Sequence, residues 1–333
     1  MKSILLALSV CALIGLNSCR SEKPETSATT DAPKAATGIP VKLQLNWFPE
    51  AEHGGYFHGL VSGAYQDAGL DVTIISGGPN TPVETQVVLG EVDFGIVNAD
   101  KILAVRQNDV TIVGLLAPYQ KSPRCVIVKD SSPIQSFDDV NGVTFITNTT
   151  KPFFKFLKTK YDFKDVKTIP YRGGPAIFMA SEKCIIQGYV NSEPFVFAKK
   201  GVKIRQLMLS DVGFNPYTSV LVCSEHMLKE KPELVAKMVA ASQDAWKAYL
   251  RDSSKANAEI SKRNPEMDVE ILQKSSDGLS QLMLTDEGAT TFGMMVDHRW
   301  NELAATLYKI GVLEKELSAD EIKSAYTTRF IEK

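Results

Sequence analysis

From Val41 to Cys223 the chain alternates short apolar runs with segments of helical spacing. The runs "DVTII" (71–75), "VDFGIV" (92–97), "VTIVGLLA" (110–117), "VTFIT" (143–147), "VKTI" (166–169) and "CIIQGYV" (184–190) read as strands, after a first strand of alternating residues at Leu43 and Leu45. Between them, His53–Asp67 carries Tyr56, Phe57, Leu60, Val61, Ala64 and Tyr65 on one helical face, with Gly69 as its stop. "TPVE" (81–84) predicts a helix capped by Thr81, with Pro82 at its first position and Glu84 three residues after the cap. Strand–helix alternation of this kind predicts parallel sheets covered by helices. After Cys223 the pattern changes: "PELVAKMVAASQDAWKAYL" (232–250) is one long amphipathic helix, and helical segments continue to the end.

Two stretches repeat each other. "TIISGGPNTPVETQVVLGEVDFGIVNAD" (73–100) lies on "TIPYRGGPAIFMASEKCIIQGYVNSE" (168–193), each a strand, a Gly-Gly-Pro turn, a helix and a strand ending Gly-x-Val-Asn-x-acid. The repeat predicts two like lobes, each ending a strand with an amide and a carboxylate: Asn98 with Asp100, and Asn191 with Glu193.

The N-terminus sets the compartment. Lys2 precedes "ILLALSVCALIGL", the length of a secretory apolar region and too short to span a bilayer. It ends in "LNSC" (16–19), which resembles the bacterial lipobox, so residues 1–18 read as a lipoprotein signal and Cys19 as the lipidated residue. Residues 19–40 are rich in Ser, Thr, Ala, Pro and charge, cannot offset their ordering entropy, and read as a tether. The remaining chain divides into 41–124 (first part of lobe 1), 125–222 (lobe 2) and 223–333 (completion of lobe 1 with the C-terminal helices). The predicted fold class is α/β, two lobes each built on a mostly parallel sheet flanked by helices, with a helical C-terminal third.

Charge and cysteines narrow the function. Of 37 basic residues, Lys2 leaves with the signal, so 36 face 39 acidic ones and no nucleic-acid partner is indicated. Beyond Cys19 stand Cys125, Cys184 and Cys223, an odd number without CxxC spacing, which reads as buried thiols. Neither GxSxG, HExxH nor GxxxxGK[ST] occurs, and His53 and His58 are five apart, off a common helical face, so neither a catalytic nor a metal site is predicted.

The candidate site lies in "LQLNWFPEAEHGGYFHG" (43–59), between the first strand and the first helix. In open α/β sheets ligands sit beyond the carboxyl ends of the strands. Trp47 could plug the space between strand and helices or stack on a planar ring, and its position at a strand end favours stacking. Asn46 offers an amide donor and acceptor. His53, before a helix start, could cap, contact a ligand or be solvated, with ligand contact slightly favoured. Tyr189, at a strand end in the second lobe, could close the other face of a ring stack. Carboxylates Asp100 and Glu193 suit a ligand with N–H donors or positive charge, while Lys101 and Arg172 offer either acid a partner or an anionic group a contact.

These residues carry a resemblance. "LQLNWFPEAEHGGYFHGLVSGAYQDAGLDVTI", "GEVDFGIVNAD" and "GYVNSEPFVFAKKG" (188–201) resemble the thiamine-pyrimidine family of substrate-binding proteins, relatives of the sulfonate- and nitrate-binding components of ABC transporters. The resemblance covers about residues 41–250. It implies a two-lobed periplasmic-binding fold (type II) with two chain crossings, near "CVIVKD" and "SVLVCS", and an aminopyrimidine held by Asn46, Trp47, Tyr189 and Glu193. The implied partners are a small planar ligand, an ABC permease and a membrane reached through the lipid anchor, at the periplasmic side of a bacterial membrane or the cell surface. Riboflavin and an aliphatic sulfonate or nitrate are the alternative ligands. The family also contains enzymes that build the thiamine pyrimidine, using iron and consuming a histidine and pyridoxal phosphate. Those carry a Cys-Cys-Cys-Phe-Cys cluster where this chain reads "GFNPYTSVLVC" (213–223), with Cys223 alone, and a histidine where it reads "GIVNADKIL" (95–103). A binder without a resident cofactor is therefore expected.

Overall fold

The computed structural model describes residues 38–284 and 291–331; the signal, Cys19 and nearly all of the tether lie outside them. Ten strands form two five-stranded sheets. They are β1 (Ile39–Gln44), β2 (Leu70–Ile75), β3 (Phe94–Val97), β4 (Ile112–Leu116), β5 (Arg124–Lys129), β6 (Thr144–Ile146), β7 (Lys167–Ile169), β8 (Cys184–Tyr189), β9 (Ile204–Met208) and β10 (Val220–Ser224). The first sheet has the order β2-β1-β3-β10-β4 and the second β7-β6-β8-β5-β9. In each, one strand runs against the rest: β10 is antiparallel to β3 and β4, and β5 to β8 and β9. The strand orders superimpose position by position, so the repeated segments 73–100 and 168–193 occupy equivalent places in two like lobes.

That topology gives the two-lobed α/β arrangement of periplasmic binding proteins of type II. The chain leaves the first sheet after β4, builds the second with β5–β9, and returns with β10. Strands β3, β4 and β10 are buried along their whole length, which is why they read as unbroken apolar runs.

Helices cover both sheets, and the C-terminal third is helical, with β10 the last strand among the described residues. Helix Pro232–Tyr249 packs on helix Gly54–Ser62 at a distance only glycine permits. A Cβ on Gly55 would fall 2.0 Å from Trp246 Cδ2, and one on Gly54 2.0 Å from Tyr249 Cζ. The glycine pair that opens the first helix is thus a docking groove for two fully buried aromatics.

Two local expectations change. The helix expected over His53–Asp67 is broken at Gly63, whose φ of 84° is left-handed, and resumes as Ala64–Asp67. The helix expected to be capped by Thr81 starts at Val83 after Pro82, with no side-chain cap. Cys125, Cys184 and Cys223 are free and buried, and burial pushes the Cys223 thiol up to about 12. Among the described residues, no helix is long and apolar enough to cross a membrane.

Candidate functional site

A cavity of about 330 Å³ opens between the lobes, at the carboxyl ends of β1, β3 and β8. Trp47 enters it from the turn after β1. Both Gly-Gly-Pro turns hold this residue. Gly77 donates its N–H to the Trp47 carbonyl at 3.0 Å, and a Cβ on Gly77 would fall 2.2 Å from the Leu45 carbonyl oxygen. Gly173, from the other lobe, adopts φ +86°, and a Cβ there would meet Trp47 Cζ2 at 3.2 Å.

The ring that faces Trp47 is Tyr171, not Tyr189. The Trp47 and Tyr171 rings lie 5.7 Å apart between centroids at an interplanar angle of 11°, a parallel stack across the cleft. Tyr171 sits in the loop between β7 and the second Gly-Gly-Pro turn. Its hydroxyl donates to Glu193 Oε1, while Glu193 Oε2 accepts the Tyr189 backbone N–H at 2.7 Å. Glu193 occupies the first position of helix Glu193–Lys199, where the positive end of the helix favours a carboxylate. Gly188 makes room for it: a Cβ there would lie 2.9 Å from Glu193 Oε2.

Across the cleft stands Glu50, which accepts a hydrogen bond from Ser192 Oγ of the second lobe. Burial holds the Glu50 carboxyl well above its ordinary value, and the charges of Glu193 and Glu52 push it further. Burial likewise raises Glu193, against the opposing pull of its bonds from Tyr171 and from the Tyr189 backbone. One end of the cavity is therefore a set of crowded acceptors.

Tyr189 links this end to the other. Its hydroxyl accepts hydrogen bonds from Arg124 Nη2 (2.9 Å) and Asn98 Nδ2 (3.1 Å), the second a contact between lobes. Asn98 Oδ1 accepts from the Ser219 N–H at 3.0 Å, tying the strand end to the return crossing. Asp100 is raised by burial and drawn back by Arg124 and Lys151, and its Oδ1 takes no hydrogen bond. Lys101 pairs with Glu84 at 2.8 Å.

Of the residues expected at the site, Asn46, Trp47, Asn98, Asp100, Tyr189 and Glu193 line the cavity. His53 and Asn191 stand behind the wall. His53 is fully buried, with Nε2 2.9 Å from both Asn46 Oδ1 and Glu52 Oε1, so it orients the amide that faces the cleft. Asn191 Nδ2 donates to the Tyr119 hydroxyl at 3.2 Å. Residues that reading by position passed over are Tyr171 and Arg124, and Glu50 in its part as an acceptor. Tyr171 had a signal, since it lies two residues before a repeated turn.

The riboflavin-binding protein RibY of Chloroflexus aurantiacus is 24% identical over 257 residues, 73% of each chain. A formylaminopyrimidine-binding protein of Halalkalibacterium halodurans is 21% identical over 98% of this chain and 100% of its own. A 4-amino-5-hydroxymethyl-2-methylpyrimidine phosphate synthase of Saccharomyces cerevisiae is 22% identical over 70% of this chain and 74% of its own. The alkanesulfonate-binding protein SsuA of Xanthomonas axonopodis shares the fold with a TM-score of 0.66 at 11% identity, over 88% of this chain and 100% of that one. The model of the NMT1/THI5-like family matches residues 50–256, which contain Tyr171, Glu50, Glu193 and both repeated turns, with Trp47 just before them, and the chain belongs to that family.

Proposed function

We propose that this chain is the solute-binding component of an ABC importer, lipid-anchored through Cys19 at the periplasmic side of a bacterial membrane or the cell surface. Its cargo is a small planar N-heterocycle, foremost a thiamine pyrimidine precursor. The observation that carries this reading is the shared cavity of a cross-cleft aromatic pair, Trp47 and Tyr171, and the half-buried acceptors Glu50 and Glu193. Crowded carboxylates next to a bare anion would be costly, whereas ring N–H donors satisfy them. At 5.7 Å between centroids the rings are too close to admit a third, since two aromatic contacts need about 7 Å. Ligand entry thus opens the lobes slightly, and contacts to both lobes then favour closure on the ring.

Binding is favoured over synthesis. The iron that the pyrimidine synthases use together with pyridoxal phosphate does not fit these residues: Cys223 is buried on an interior strand of the first sheet, and among the described residues no group of three or more His, Cys, Asp or Glu is placed to hold a metal. Formation of a hydroxymethylpyrimidine on incubation with both would contradict the binder reading.

Calorimetric titration with an aminopyrimidine, riboflavin and taurine, on the wild type and on Glu193→Gln, tests the ligand class. The account expects a ring to bind and the variant to lose about 1.5–3 kcal/mol, the worth of a charge-assisted hydrogen bond. Tight taurine binding that survives Glu193→Gln would contradict it.

A further inference from the structure

The cavity has two electrostatic ends, and the ring accounts for one. Glu50, Glu52 and Glu193 gather beside the Trp47–Tyr171 stack. Tyr189 spans to the other end: its backbone N–H serves Glu193 and its hydroxyl serves Arg124. The Arg124 guanidinium packs against the Phe153 and Tyr189 rings, 4.6 Å and 4.7 Å from their centroids. Among the described residues no carboxylate ion-pairs with it, and the hydroxyl of Tyr189 is its sole hydrogen-bond partner. Lys151 lines the same end and likewise has no ion-pair partner among the described residues. The two cations are near enough that Arg124 depresses the Lys151 amine, after the loss of surrounding water.

Charge counting decides what belongs there. Lys101 is matched by Glu84, and Asp100 is the remaining acid that Arg124 and Lys151 both feel. Two cations against at most one anion leave a net positive charge on this wall, with Arg124 half-buried and Lys151 open to solvent at the mouth. A half-buried guanidinium whose hydrogen-bond partner is a neutral hydroxyl gains from an anion that pairs with it. A guanidinium packed against two rings and hydrogen-bonded to one hydroxyl keeps its remaining N–H donors in a planar fork, the geometry that matches an oxyanion.

We infer that the ligand carries an acidic substituent, a phosphoryl, sulfonate or carboxyl group on the side chain of its ring, and that Arg124 and Lys151 form the subsite that takes it. The inference rests on the ring reading above and adds to it a substrate class: a planar N-heterocycle with N–H donors at one end and an anion at the other. The same wall would repel a cationic substituent.

The test is a matched set of titrations: 4-amino-5-hydroxymethyl-2-methylpyrimidine against its phosphate ester, riboflavin against flavin mononucleotide, and inorganic phosphate alone. The wild type is compared with Lys151→Gln, at the cavity mouth, and with Arg124→Gln. In the ring family that binds, the phosphate ester should bind on the order of tenfold or more tighter than its alcohol. Lys151→Gln should shrink that ratio towards one while leaving the alcohol's affinity nearly unchanged, and Arg124→Gln should shrink the ratio at least as far. If Arg124→Gln does not fold, Lys151→Gln still decides. An alcohol that binds as tightly as its ester overturns the anionic subsite and leaves the ring reading standing. Inorganic phosphate binding as tightly as the esters would overturn the ring reading and keep the cationic wall. Silence with every probe overturns both.

Discussion

Replacing Tyr171 by Phe removes one atom from the centre of the cleft and leaves the stack on Trp47 in place. The lost hydroxyl donates to Glu193 Oε1, and the Tyr189 backbone N–H at 2.7 Å then remains to serve that carboxylate. A hydrogen bond to an ionised, buried carboxylate contributes about 1.5–3 kcal/mol, and one to a neutral carboxyl about 0.5–1.5 kcal/mol. The cost of the substitution therefore depends on whether Glu193 is charged. Burial raises its pKa, and the Tyr171 hydroxyl is the largest opposing influence. Well above the raised value the variant should lose roughly 2 kcal/mol, and below it about half as much. For a body of this size 1 kcal/mol moves the melting temperature by about 2 °C, so the expected drop is roughly 4 °C at high pH and about half that at pH 4.5. Differential scanning calorimetry of wild type and Tyr171→Phe across that range reads both numbers. An equal drop at every pH would refute the account of Glu193 as the titrating acceptor. A variant as stable as the wild type would refute the hydrogen bond itself.

Three further outcomes are expected. Ring N–H donors stabilise ionised Glu50 and Glu193, so binding should release protons between pH 4.5 and the raised values, with affinity rising through that window; calorimetry in buffers of different ionisation heat would show proton uptake instead if the acceptors are misassigned. The same groups make the free protein lose stability as pH climbs through the window, because the folded chain holds protons that the unfolded chain has released. Cys19→Ala should move the protein from the membrane fraction to the soluble one, since a stable anchor needs the acyl chains, and retention on membranes in high salt would contradict lipidation.

Much of the architecture is legible in the chain because the physics that builds it is local. Strands β3, β4 and β10 are buried throughout and read as apolar runs, and helix Pro232–Tyr249 carries its apolar stripe in plain sight. Strand β9 escapes because Arg205 and Gln206 interrupt it and it is only half-buried. The break at Gly63 escapes because the apolar spacing continues past it. At the site, residues at strand ends are readable from position: Asn46, Trp47, Asn98, Tyr189 and Glu193 follow β1, β3 or β8 or close them. Tyr171 and Arg124 are not: the Tyr171 stack forms only when the lobes meet, and Arg124 takes its part from the Phe153 and Tyr189 rings of its own lobe, distant from it in the chain. Tyr171 lies 124 positions after Trp47 in the chain, and no local periodicity connects two such rings. His53 shows the converse: a polar residue in a conspicuous motif is fully buried behind Asn46, serving the wall of the site.

The central claim is that the cleft closes on a planar ring between Trp47 and Tyr171 with its N–H donors on Glu193 and Glu50. A crystal structure of the protein with the tightest-binding heterocycle measures this directly. The account predicts the two rings moved apart to about 7 Å with the ligand plane parallel between them, and a ligand N–H within hydrogen-bond distance of a Glu193 or Glu50 oxygen. A ligand seated elsewhere with the Trp47–Tyr171 stack still closed at 5.7 Å would contradict it.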